Sequence, residues 1–211
     1  MSDWLLVLAG AFAAGLMDAM VGGGGLVQLP TLLATQPHLP PATLLGTSKF
    51  AGIFGTCSSL WRYTRSVQVP WRVVLPGCAV AAVASTGGAA IASHVSPAVF
   101  RPLVPVLLTA VFAYTLLRRD FGQTHRPQAL TGRRRSLMFA AVGLIGLYDG
   151  FFGPGTGSFF IFLFIRVLGY DFLHAVAFAK ILNTSTNLSA LVCLGLTGNV
   201  WWQYMPLMAM A

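Results

Sequence analysis

The chain holds two lysines, Lys49 and Lys180, and both stand in apolar stretches. An ammonium withdrawn from water needs a counter-charge, so each is expected to face the protein interior and meet an anion or a carboxylate. After Lys180, Asn183, Thr184 and Asn187 follow at i+3, i+4 and i+7, which places all four on one helix face. The matching face after Lys49 is less polar, with Gly52 and Thr56, and Thr47 and Ser48 just before it. Two aspartates, Asp18 and Asp149, each precede a glycine-rich break by four residues. The first break is Gly22-Gly23-Gly24-Gly25, and the second is Gly153-Pro154-Gly155-Thr156-Gly157-Ser158. Proline removes a backbone donor and glycine weakens a helix, so neither stretch sits comfortably in a continuous helix. A helix restarting near Ser158 turns its unbonded amides and positive dipole end into the break, which is an anion site in outline.

These residues define the candidate site. Substrate binding is assigned to Lys49, Lys180, Asn183, Asn187, Gly22, Gly23, Gly24, Gly153, Gly155, Thr156, Gly157 and Ser158. Asp18 and Asp149 are assigned to coupling or charge pairing: each bonds loose amides at its break, or pairs with a lysine and releases it when protonated. The bland alternative is a buried structural ion pair, Asp18 or Asp149 with a lysine, that only holds helices together. With Asp149 taken as the partner of Lys180, replacing both residues tests that alternative.

The elements that must position these groups follow from composition. Of 211 residues, 56% are hydrophobic and 9% charged. Soluble domains carry about 25% charged residues, so this supply cannot build a water-exposed surface. The class is an all-α polytopic membrane protein. Eleven arginines against five aspartates and no glutamate give a net charge of +8. The arginines gather in two loops rather than along a soluble face, so they report membrane orientation and exclude nucleic acid as a partner.

Apolar runs predict spans at 4–21, 43–63, 73–93, 99–117, 136–152, 158–169 and 172–194, a short piece at 26–36 around Pro30, and a last span from Val200. The first run has no basic n-region or small-residue cleavage site and is read as a retained span. Residues 118–135, with Arg118, Arg119, Arg126, Arg133, Arg134 and Arg135, form a mobile basic linker between two halves, 1–117 and 136–211. The Arg-rich loops 62–72 and 118–135 are two spans apart and share the cytoplasmic side, which puts the N-terminus outside. The turns at 94–98 and 195–200 then lie outside as well.

An internal repeat orders the pattern. At an offset of 131 residues Lys49 falls on Lys180, Asp18 on Asp149, Gly15 on Gly146, Gly22 on Gly153 and Gly24 on Gly155, with Trp71 on Trp202. Both lysines of the chain pair with one another, and rare residues do not do so through biased composition. Each half counts five elements, an odd number, so the second is expected to be inverted relative to the first, a common transporter construction. The first half runs to Leu117, whose counterpart falls beyond Ala211; about one and a half spans are expected to be missing from the second repeat.

Other chemistry is poorly supported. Cys57, Cys78 and Cys193 are an odd number at irregular spacing, neither a disulfide framework nor a zinc site. His38, His94, His125 and His174 lack ligand spacing, and neither a metal nor a cofactor is expected. The glycine-rich break is no P-loop, because no lysine follows its last glycine. Tyr148 is a packed phenol or a substrate donor. An intramembrane hydrolase with Ser158 as nucleophile and His174 as base lacks a Gly-x-Ser-x-Gly context, and a non-transporting membrane scaffold is the third reading.

Asp18 with Gly22-Gly23-Gly24-Gly25-Leu26, then Pro30, then Gly46-Thr47-Ser48-Lys49, resembles the first-half signature of the TauE/SafE-type sulfite exporter family, the toluene sulfonate uptake permeases. Tyr148 to Ser158 and Lys180-Ile181-Leu182-Asn183 resemble its second-half signature, in the branch known only as probable membrane transporters. The resemblance covers the whole chain and implies a carrier of the bacterial inner membrane for small, mostly sulfur-containing anions. A proton or another ion would be its coupling partner. Relatives often have Thr-Asn-Lys where this chain has Thr47-Ser48-Lys49.

Overall fold

A computed structural model describes residues 2–21, 23–117, 126–128 and 131–204. They are all-helical. The helices are α1 (Ser2–Val21), α2 (Gly25–Thr35), α3 (Pro41–Ser66), α4 (Trp71–His94), α5 (Pro97–Leu117), α6 (Gly132–Phe151), α7 (Thr156–Leu168) and α8 (Phe172–Leu196). Punctuation in the sequence sets their ends. Pro41 and Pro97 occupy first helical positions, where the missing N–H costs nothing. Asp171 caps α8 by accepting from the His174 amide at 2.9 Å. Gly169, at φ 70°, closes α7 in the left-handed conformation with its amide on the Ile165 carbonyl.

Two expectations change. The basic segment 118–135 is not loose throughout: α6 begins at Gly132, so Arg133, Arg134 and Arg135 form its exposed first turn. Arginine is a good helix former and carries the helix past its apolar stretch. Upstream, the Arg126 and Gln128 amides donate to the Gly169 and Leu168 carbonyls, both at 2.9 Å, pinning 126–128 against the end of α7. Of the span expected from Val200, the described residues show a 3₁₀ turn at Trp202–Tyr204; residues 205–211 lie outside them.

The most extensive helix packing crosses between the halves, α4 against α6 and α8, and α3 against α8. Small residues make the first contact possible. A Cβ on Gly146 would stand 2.6 Å from the Ala81 carbonyl oxygen, and one on Gly150 would run into the Ser85 carbonyl. Such seams let backbones approach where lipid gives no hydrophobic drive to association. Ser85 also donates to the Thr186 carbonyl at 2.9 Å, tying α4 to α8. Gly150→Leu is therefore expected to cost at least about 1–3 kcal/mol through overpacking. Gly195→Leu, at a position with open space around it, is expected to fold normally. Thermal unfolding of the two purified variants in detergent checks this, and equal stability would show that the seam can open.

Candidate functional site

Four helices each bring one charged residue into an ion pair: α1 Asp18, α3 Lys49, α6 Asp149 and α8 Lys180. The pairing is crossed between the halves. Lys49 Nζ lies 2.7 Å from Asp149 Oδ1, with side chains 6% and 2% exposed. Lys180 Nζ lies 2.7 Å from Asp18 Oδ2 and also donates to the Asp18 main-chain oxygen. Lys180 is thus held by Asp18, not by Asp149. The i+3, i+4 and i+7 spacing gave the face of α8 but not the helix it meets, and α1, rather than α6, brings its carboxylate there.

A cavity of about 370 Å³ opens beside these pairs. Of the expected residues, Asp18, Gly24, Lys49, Asp149, Gly153, Gly155, Asn183 and Asn187 line it. Gly23, Thr156, Gly157, Ser158 and Lys180 do not, and Gly22 lies outside the described residues. Thr156 serves the backbone, its hydroxyl donating to the Gly153 carbonyl at 2.7 Å. The Tyr148 hydroxyl likewise donates to the Pro154 carbonyl at 2.7 Å, so this phenol braces the break. Ser158 is buried in the first turn of α7.

The two breaks touch: a Cβ on Gly25 would come 3.2 Å from Pro154 Cα. They differ in backbone. Gly153 and Gly155 adopt φ of 95° and 86°, the left-handed region that favours glycine. Gly24 has φ of −52°, a helical conformation that does not itself require glycine. Position 154 is proline where the first half has Gly23, and a proline cannot continue the helix, so the flanking glycines absorb the turn. Both α2 and α7 start at the cavity wall, next to Gly24 and Gly155, with their positive dipole ends nearest to it.

Several lining groups went unassigned from sequence. Gln28 on α2 is 6% exposed and accepts from the Ser48 hydroxyl at 3.1 Å. A lone amide in an otherwise apolar short helix was the available signal. Thr56 and Ser58 also line the wall. Asn187 Nδ2 lies 3.4 Å from Asn183 Oδ1. Asp149 Oδ2 is buried with no hydrogen-bond partner among the described residues, a condition that costs about 1–3 kcal/mol. Ser158 and His174 are not brought together, because about 15 Å of α7 separates them. His174 Nδ1 lies 2.7 Å from Asp171 Oδ1 at the start of α8. No group of three or more His, Cys or Asp side chains placed to hold a metal occurs among the described residues.

The family model described as sulfite exporter TauE/SafE matches residues 7–211. This chain belongs to the TauE/SafE family. Among its relatives, a probable membrane transporter protein ORF9 from Sinorhizobium is 36% identical over 200 residues, covering 95% of this chain and 75% of the relative. The probable membrane transporter protein YfcA of Escherichia coli K12 is 34% identical over 192 residues, covering 91% and 70%. A probable membrane transporter protein of Haemophilus influenzae is 33% identical over the same length, covering 91% and 74%. No solved structure matches the chain. As a TauE/SafE member with Trp71–His94 and Pro97–Tyr114 each long and apolar enough to cross a bilayer, it is an integral membrane protein.

Proposed function

We propose that the chain is a secondary membrane carrier for small anions, in the class of sulfite, sulfonates and related sulfur-containing anions, and not an enzyme. The observation that carries this reading is the cavity itself. Lys49 lines it, the amides of Asn183 and Asn187 stand at its wall, and two helices begin there with their positive ends nearest. Those groups together favour a compact anion. Lys180 supports the site from behind by holding Asp18. Family membership supports transport, and the family's name supports the sulfur anions.

The test measures anion binding with sulfite, thiosulfate, sulfonates and carboxylates on purified protein. Lys49→Met is compared with its parent in an Asp149→Asn background, where no carboxylate is stranded. Binding is expected to fall at least about tenfold, since a charge-assisted bond contributes about 1.5–3 kcal/mol. Unchanged affinity in a folded variant would remove Lys49 from the site.

The carrier is further proposed to be built from two inverted repeats, 1–117 and 136–211, in a bacterial-type inner membrane with the N-terminus outside. The crossed pairs support the repeat, because Lys49 with Asp149 and Asp18 with Lys180 exchange equivalent positions. Single cysteines at positions 66 and 198 in a cysteine-free chain are expected to label from opposite sides, the first cytoplasmic. Labelling from one side would end the inverted arrangement.

A further inference from the structure

The two lysine–aspartate pairs have equal lengths and unequal settings. Lys180 is bound by both the carboxylate and the main-chain oxygen of Asp18, and stands off the cavity wall. Lys49 and Asp149 both line the cavity, and their contact uses only Oδ1 of the carboxylate. Asp149 Oδ2 is left with no partner among the described residues, in a residue 1% exposed. A carboxylate with a free, buried oxygen beside an ammonium offers a place for one proton. Protonation there neutralises Asp149 and leaves the charge of Lys49 to a ligand.

We propose that Asp149 is a proton site coupled to anion binding at Lys49, so that the protein carries a proton and an anion together. This rests on the anion reading of the cavity. The surroundings single out Asp149. On α6, Tyr148 is engaged by the Pro154 carbonyl. From α3 comes Lys49 and from α1 Asp18, which Lys180 of α8 holds. At the cavity α8 adds the neutral Asn183 and Asn187, and α2 adds Gln28. Against Gly150, α4 brings backbone of Ser85 and Ala89. The break at 152–155 has no titratable side chain. The charges balance: Lys49⁺ with Asp149⁻ becomes Lys49⁺ with a monovalent anion and a neutral Asp149. The proton enters from water with the anion and leaves to water with it on the far side, so no net charge crosses.

Methanesulfonate, singly charged throughout, is the probe. Its binding to the purified chain is measured by calorimetry from about pH 5 to about pH 8, in buffers of different ionisation enthalpy. Affinity is expected to fall as pH rises, with one proton taken up per anion. Asp149→Asn, which keeps the shape of the protonated acid, is expected to bind with no pH dependence and no proton uptake. Binding without proton uptake by the unaltered chain overturns the coupling and leaves the anion site standing. pH-dependent binding that persists in Asp149→Asn overturns the assignment to this residue. Failure of methanesulfonate, sulfite and thiosulfate alike to bind folded protein overturns the anion reading itself. Proteoliposomes give a check that needs no variant: uptake is expected to follow a pH gradient and ignore an imposed potential, and potential-driven uptake overturns the proposal.

Discussion

Lys180→Met is expected to lower stability by about 3–5 kcal/mol, because it strands the Asp18 carboxylate at a site 13% exposed. Lys180 is buried and Asp18 is mostly shielded, so water takes over the role of the ammonium only in part. Adding Asp18→Asn removes the stranded charge and is expected to restore most of that loss, since neutral replacements of a buried pair are often tolerated. Adding Asp149→Asn instead, the partner within the same half, is expected to restore none of it. Denaturant unfolding of the three variants in detergent decides the matter. A double variant with Asp18→Asn that is no more stable than Lys180→Met would mean the pair does not hold α1 to α8. The same double variant is expected to bind anions no more weakly than the unaltered chain, because Lys180 is off the cavity wall. A tenfold loss would return Lys180 to the binding site.

Gly153→Leu is expected to combine two costs. A side chain at φ 95° is strained by about 1–2 kcal/mol. Its Cβ would also stand 2.8 Å from Lys49 Nζ and drive the ammonium from Asp149, an overpacking of about 1–3 kcal/mol. Gly155→Leu meets the same strain at φ 86° and overlaps Val111. Both are expected to reduce anion binding by about a hundredfold or more, matching roughly 3 kcal/mol lost at the site. Gly24→Leu carries no dihedral strain, but its Cβ meets the Ala14 carbonyl oxygen at 2.5 Å and Asp18 Cβ at 2.9 Å, so it is expected to cost stability through overpacking. Normal binding by Gly153→Leu would reduce the break to a packing kink.

Much of the helical framework was readable in the sequence. Long apolar runs can satisfy their backbone groups in lipid only as helices, and prolines and glycines mark where those helices stop. Hence α4, expected at 73–93, spans Trp71–His94, and the break between α6 and α7 falls at its glycines. The rarity of lysine and aspartate picked out the charged residues. Their partners were not readable. Helical periodicity says which residues share a face of α8, but not which helix that face meets. Lys180 finds Asp18, and Lys49 finds Asp149, because seams such as Gly146 and Gly150 against Ala81 and Ser85 interlock the halves. Nor did two similar glycine runs disclose different backbones. Pro154 stands where the first half has Gly23 and cannot continue a helix, and the left-handed turns at Gly153 and Gly155 belong to the chain's three-dimensional path. The sequence alone determined a helical membrane protein with two broken, charged elements. Tertiary packing decided which charges neutralise each other and which stand at the cavity, because those are distances between helices.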